Sequence, residues 1–314
     1  MKKIAGMVLL YYRYFLLLVL IIMASVMIGD PIQNFINVLT LQAPYVFIYS
    51  FGMTIVMLTG GLDLSQGSVA ALSSCIGAMF IIKGQLFLGA LITLAIGAAV
   101  GVVNGFLVTK LKVPSFITTY GMDWVVRGLV HIIMGGLTIF GFNETFRRLS
   151  RGTFLGISNL FYFALVILVV MLFVFQKTIF GRNVYMIGSN VKVAQLSGVK
   201  TDRTITIVYM ISGVLAAFAG LLYVSRLDAA EAFLGKNYGI TALAASLIGG
   251  TALDGGKGGV GNTVVGVLIM VFLTNVLNVW KVPLLWQDAA FGFVIAGAAL
   301  LEKARSAYSM TLLD

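Results

Sequence analysis

Apolar residues run along this chain in blocks separated by short polar or glycine-rich breaks, and the blocks are as long as a bilayer is thick. A hydrocarbon core of about 30 Å takes roughly 20 helical residues. Ten runs carry no charge or almost none: Tyr14 to Gly29, Ala43 to Thr59, Gly67 to Ile82, Leu86 to Thr109, Val113 to Leu137, Leu155 to Phe175, Thr204 to Ser225, a short one at Tyr238 to Ile248, Gly258 to Trp280, and Val282 to Leu301. The pattern predicts an all-α fold, a polytopic membrane helical bundle of about ten transmembrane helices, in one domain over residues 1–314.

Two breaks read as interrupted or re-entrant helices: GGLDLSQGS at Gly60 to Ser68 and GGTALDGGKGGVGN at Gly249 to Asn262. Irregular backbone at membrane depth must be buried in protein or line a cavity. Elsewhere glycine, alanine and serine cluster inside the apolar runs, as at Gly97, Gly101 and Gly105 or at Gly213, Ala217 and Gly220. Small residues let helices approach where hydrophobicity cannot drive them together.

Composition agrees: 60% of residues are hydrophobic, 10% are charged, and mean hydropathy is +1.04. The net charge of +10 would suggest nucleic acid for a soluble protein, but here the basic residues sit between apolar runs and act as orientation signals. No nucleic-acid partner is expected. Lys2 and Lys3 precede the first run, which lacks a convincing cleavage site and is read as an uncleaved span. With both termini in the cytoplasm, Lys2, Lys3, Arg13, Lys110, Lys112, Lys177, Arg182, Lys192, Lys200, Arg203, Lys257, Lys303 and Arg305 lie inside, 13 of the 21 Lys and Arg. Lys83, Arg147, Arg148, Arg151, Arg226, Lys236 and Lys281 fall outside, and Arg127 within a span.

A faint internal repeat pairs Gly60, Gly61, Asp63, Asn104 and Lys112 to Pro114 with Gly249, Gly250, Asp254, Asn275 and Lys281 to Pro283. This topology puts the two Lys-Val-Pro turns on opposite sides, which no simple duplication allows. Either the repeat is chance or a span is miscounted.

With one cysteine, Cys75, and one histidine, His131, neither a disulfide framework nor a metal site can be assembled. KGGVGNT at Lys257 to Thr263 imitates a phosphate-binding loop, but Asn262 stands where the phosphate-binding lysine belongs, so it reads as a flexible membrane turn. No complete G-x-x-x-x-G-K-[ST] occurs, and any ATPase must be a partner. Asp123, Arg127 and His131 recur every four residues along one helical face, either as an Asp123–Arg127 ion pair turned into the bundle or as a polar strip along a permeation pathway. The longest hydrophilic stretch assigned to the inside is about 176–203, where Asn190 can cap a short helix from Val191 to Leu196 and Gly198 can end it.

Four segments together resemble a known family, the membrane subunits of ribose-type sugar ATP-binding-cassette importers, related also to branched-chain amino acid and nucleoside permeases. They are GGLDLSQGS, similar to the family's GGIDLSVGS; NGFLVTKLKVPSFITTYGM at Asn104 to Met122, with Arg127 and Gly128 beyond; FGRNVYMIGSN…AQLSGV at Phe180 to Val199; and IGGTALDGGKGGVGNTVVG at Ile248 to Gly266. The resemblance covers nearly the whole chain.

It implies a multi-pass permease subunit of the cell membrane that moves a sugar or related small polar solute by alternating access and is not an enzyme. ATP is held by a cytoplasmic ATPase partner, so this chain has no cofactor. An extracytoplasmic solute-binding protein delivers the solute, and a second permease copy or paralogue completes the pathway within membrane lipid. Translocation-pathway candidates are Gly60, Gly61, Asp63, Ser65, Asn104, Thr118, Asp123 and Arg127. The segment Asn190, Lys192, Val193, Ala194, Leu196 and Gly198 resembles the EAA…G coupling loop, although Lys192 stands where Glu is usual and Val193 where Ala is. Arg147, Arg148 and Arg151 form a basic cluster on the side that usually lacks one, either a docking site for the binding protein or a solvated loop. The alternatives are a secondary carrier or channel acting without an ATPase, a polytopic membrane enzyme, or an importer subunit for nucleosides, furanosyl autoinducers or amino acids.

Overall fold

The computed structural model describes residues 2–26 and 30–310. In chain order the elements are α1 (Lys2–Val26), α2 (Pro31–Asn37), a π-helical stretch (Val38–Gln42) running into α3 (Ala43–Leu58), α4 (Gln66–Ile81), α5 (Leu86–Thr109), α6 (Ser115–Met134), β1 (Ile139–Phe140), α7 (Glu144–Arg151), β2 (Thr153–Phe154), β3 (Ile157–Ser158), α8 (Asn159–Lys177), α9 (Ile179–Ser189), α10 (Val191–Leu196), α11 (Thr201–Leu227), β4 (Ala229–Ala230), α12 (Tyr238–Ile248), α13 (Val260–Val279) and α14 (Leu284–Met310). Each of the ten apolar runs falls on a helix, although Gly29, the expected end of the first, lies outside the described residues. Among the described residues, five helical rods are long and apolar enough to cross a membrane by length and composition: Pro31–Leu58, Leu86–Thr109, Asn159–Lys177, Thr201–Leu227 and Val260–Val279. The two-residue strands pair antiparallel, β1 with β4 and β2 with β3.

α11 is the axis of the bundle, packed against α3, α4 and α5. Glycine sets the closest of these contacts. A Cβ on Gly105 would stand 2.6 Å from the Thr206 Cα, and Gly97 and Gly213 each press on the other's carbonyl. Any side chain there would push the two helices apart.

Contacts along the helices fix their directions. Tyr45 of α3 meets Tyr223 of α11, with ring centroids 5.4 Å apart, while at the other end Tyr209 donates to the Leu62 carbonyl at 3.1 Å, so α3 and α11 run antiparallel. α12 runs with α3, from the Tyr49–Tyr238 stack at 4.2 Å to the Thr54–Ser246 hydrogen bond at 2.9 Å. α4 runs with α11, since Gln66 bonds Ser212 while Gly220 packs on Ala70 and Ser74.

These directions resolve the conflict over the repeat. α3-α4-α5-α6 and α11-α12-α13-α14 share an arrangement of neighbours, with α4 on α5 and α6 matched by α12 on α13 and α14. Their directions are opposite, as in the inverted repeats of many transporters. The Lys-Val-Pro turns are true equivalents, with Lys112 at φ 55° and Lys281 at φ 54°, both left-handed and both closing a helix. An inverted repeat puts them at opposite ends, as the sequence topology had them. The Gly-Gly turns are not equivalents: Gly60 follows α3, whereas Gly250 follows α12, the counterpart of α4.

One end of the bundle gathers the end of α3, the end of α5, α9, α10 and the start of α11. There the Gly256 amide donates to the Leu58 carbonyl at 3.0 Å, Arg13 donates to the Gly249 carbonyl at 2.7 Å, and Lys110 and Lys112 pair with Asp202 at 3.0 and 3.5 Å. The opposite end gathers α7, the end of α11 and the segment 228–237, where the Phe142 amide donates to Asp228 at 2.8 Å.

Candidate functional site

The break between α3 and α4 is built from the glycine at its mouth inward. Gly60 takes φ +78°, a left-handed conformation that ends α3, and the Gly61 amide closes on the Val56 carbonyl at 3.2 Å. The chain then crosses the bundle interior as Leu62-Asp63-Leu64, and side chains satisfy its backbone. Ser115 accepts from the Leu62 amide at 3.1 Å, Thr119 accepts from the Leu64 amide at 3.1 Å, and the Leu62 carbonyl accepts from Tyr209 and from Thr119 at 3.1 and 3.2 Å.

Asp63 is the hub and is buried. One carboxylate oxygen accepts from the Ser65 amide at 3.2 Å and its hydroxyl at 2.6 Å; the other accepts from Ser212 at 2.7 Å. Asn104 donates to the Ser65 hydroxyl at 2.9 Å, and Gln66 donates to Ser212 at 2.9 Å and to the Tyr49 carbonyl at 3.0 Å. Five elements (the break, α3, α4, α5 and α11) are thereby tied into one hydrogen-bond network centred on this carboxylate.

Gly60, Gly61, Asp63, Ser65 and Asn104 are therefore brought together, with Gly60 exposed at the mouth and the other four buried within this chain. Thr118 is buried nearby on α6, with no partner for its hydroxyl among the described residues. The sequence missed Ser212, Tyr209, Gln66, Ser115 and Thr119. The available signal was a polar side chain inside an apolar run, which many self-bonding serines and threonines share.

The expected ion pair between Asp123 and Arg127 is not formed. Asp123 accepts from the Ser68 amide in the first turn of α4 at 3.3 Å, and Arg127 donates to the carbonyls of Ala232 and Leu234 at 2.8 and 2.7 Å. Freed backbone groups at membrane depth outbid the neighbouring side chain, because they have no water to turn to. α6 thus ties the start of α4 to the irregular segment before α12.

The KGGVGNT turn is pinned rather than loose. Gly258 takes φ +111°, its carbonyl accepts from Tyr185 at 3.0 Å, and burial raises the Tyr185 phenol above its ordinary value.

At the same end α10 stands clear of the bundle. Asn190 caps it, accepting from the Val193 amide at 3.1 Å; Gly198 takes φ +82°, and the Val199 amide returns to the Ala194 carbonyl at 3.0 Å. Ala194 is buried and anchors the helix, while Leu196 is 89% exposed, Val193 is 52% exposed and Lys192 is exposed.

At the opposite end α7 carries the basic cluster. Arg147 pairs with Glu144 at 3.1 Å and Asp228 at 3.6 Å, Arg148 pairs with Glu144 at 3.3 Å, and Arg151 donates to the Arg226 carbonyl at 2.8 Å. Arg148 and Arg151 are exposed, whereas Arg147 is half-buried.

A family model described as branched-chain amino acid transport system / permease component matches residues 34–299. A ribose import permease protein of Bacillus subtilis (strain 168) is 38% identical over 93% of this chain and 92% of its own length. A ribose import permease protein of Haemophilus influenzae is 35% identical over 95% and 94%. An autoinducer 2 import system permease protein of Photorhabdus luminescens is 33% identical over 83% and 79%. No solved structure matches.

Proposed function

This chain belongs to the family of branched-chain amino acid transport system / permease components, and from that membership we infer that it is the membrane-spanning permease subunit of an ATP-binding-cassette importer for a sugar. The observation that carries the reading is the 38% identity to a ribose import permease protein over 93% of the chain. A pentose such as ribose is the substrate of choice, and the relatives named for autoinducer 2 make a furanosyl solute the second reading.

The subunit does no covalent chemistry. A partner ATPase holds and hydrolyses ATP in the cytoplasm, a binding protein delivers solute on the far side, and a second copy or paralogue completes the pathway. The α10 end is the cytoplasmic one. It carries Arg13, Lys110, Lys112, Arg182, Lys192, Lys200, Arg203 and Lys257, the surplus that membrane insertion keeps inside. The side chains of Lys2, Lys3, Lys303 and Arg305 lie outside the described residues. α10 presents its apolar edge to the ATPase, and the polar hub at Asp63 holds the broken helix in register beside the pathway.

The binding protein meets α7, and Arg148, exposed and paired only with the exposed Glu144, is free to engage it. Reversing Arg147, Arg148 and Arg151 to Glu should lower ATPase stimulation by loaded binding protein several-fold, with Arg148→Glu alone giving most of the loss and low salt enlarging it. Unchanged stimulation at both salt concentrations would remove α7 from the docking surface. The function is tested in cells lacking their own ribose uptake. Supplying this chain with its ATPase and binding protein should give uptake of labelled ribose that omitting the chain abolishes. Restored autoinducer uptake without ribose uptake would select the second reading.

A further inference from the structure

Where α5 ends and α11 begins, the bundle opens a cavity of about 390 Å³ whose lining includes Lys110, Gln195, Lys200, Thr201, Asp202 and Arg203. Three of these are cations, and Lys112 joins them through Asp202, which it meets at 3.5 Å. One carboxylate thus faces four positive charges. It is held by Lys110 and Lys112, and among the described residues Lys200 and Arg203 form no ion pair. Insertion bias explains why basic residues collect at this end. It does not explain why cations from two elements far apart in sequence converge on one concave surface with a surplus of charge.

The cavity lies at headgroup depth. Lys110 closes α5 and Thr201 opens α11, and both helices are apolar rods long enough to span a membrane. From Lys110 an exposed apolar lane descends the same face of α5: Phe106 one turn deeper, then Val103 and Val102, which are 51%, 45% and 40% exposed. At 1.5 Å per residue Val102 lies about 12 Å below Lys110, well inside the hydrocarbon. An anionic group in the cavity can therefore carry an acyl chain along the lane. An acidic surface on a protein partner would fill the cavity and leave the lane bare.

We propose that this cavity binds the phosphate of an anionic phospholipid from the cytoplasmic leaflet, with an acyl chain laid along Phe106 and Val102. Lys110 comes from α5, whereas Lys200 and Arg203 belong to the corner joining α10 to α11. A phosphate shared among them braces that corner, where Gln195 already donates to the Thr201 hydroxyl at 3.2 Å. Basic recesses between membrane helices on the cytoplasmic side suit phosphorylated headgroups, and each cation removed costs about fivefold in affinity. The choice of leaflet rests on the reading of the α10 end as cytoplasmic. The binding itself needs only that the chain spans a membrane.

The test uses this chain assembled with its ATPase in an uncharged detergent and reads retained lipid by native mass spectrometry. Phosphatidylglycerol should bind at least tenfold tighter than phosphatidylcholine. Lys200→Gln with Arg203→Gln should lower that affinity at least tenfold. Lys83→Gln with Lys236→Gln, which removes the same charge from exposed lysines outside the cavity, should leave it unchanged. Phe106→Ser should weaken phosphatidylglycerol several-fold. Equal binding of the two lipids, or equal loss in both double variants, would reduce the cavity to general surface charge. Displacement of phosphatidylglycerol by millimolar inorganic phosphate, or an unchanged affinity in Phe106→Ser, would make it a site for free anions. Loss of the ATPase from the Lys200→Gln, Arg203→Gln complex would assign it to that partner. Any of these results overturns the proposal, and none of them turns on which solute the importer carries.

Discussion

Leu196→Asp should abolish solute uptake while leaving this chain folded. The leucine is 89% exposed at the tip of a six-residue helix, so within the chain it has almost nothing to lose. An apolar side chain held out on a rigid, capped helix is placed for an apolar groove on a partner, with Val193 beside it. An aspartate there buries an unpaired charge, at a cost of about 3 kcal/mol or more. That weakens docking of the ATPase by roughly a hundredfold. Gly198→Val acts more mildly, because no atom lies within 4 Å of its Cβ and only the left-handed backbone, at φ +82°, resists it. Both variants should reach the membrane in normal amounts, and solute uptake and co-purification of the ATPase should fall together. Wild-type uptake in both would place the coupling element elsewhere.

Asp63→Ala should damage the chain itself. It strands the Ser65 amide and the hydroxyls of Ser65 and Ser212 inside the bundle, where water cannot replace the carboxylate. Stranding neutral buried groups costs about 1–3 kcal/mol each, so the melting temperature in detergent should fall by roughly 10 °C. Asp63→Asn keeps one acceptor oxygen and should fall between alanine and wild type. Gly61→Val should resemble Asp63→Ala, since its Cβ would stand 2.6 Å from the Tyr209 hydroxyl and 3.3 Å from Val56. Thermal melts of the purified variants check the order, and an Asp63→Ala chain as stable as wild type would deny the hub its role.

Much of this architecture was legible because membranes limit the choices: ten apolar runs had to be helices, and ten are. α10 was legible to the residue, since Asn190 and Gly198 are position-specific stop signals with a backbone reason behind each. What binds across the fold was not. Ser212 lies 149 residues from Asp63, and nothing local distinguishes it from a serine bonded to its own helix. The Asp123–Arg127 pairing failed for a related reason, because i, i+4 spacing records only neighbours on one helix, while the carbonyls of Ala232 and Leu234 arrive from another segment. The repeat was visible in Lys-Val-Pro, yet its inversion needed helix directions that only tertiary contacts supply.

The central claim is that this chain conducts solute only when a partner ATPase drives it. The most direct measurement is uptake of labelled ribose into proteoliposomes holding the chain alone, the chain with its ATPase and binding protein, and the same complex without ATP. The account predicts uptake from the complete complex with ATP and background elsewhere. Ribose uptake by the chain alone, saturable and indifferent to ATP, would contradict it and make this a secondary carrier.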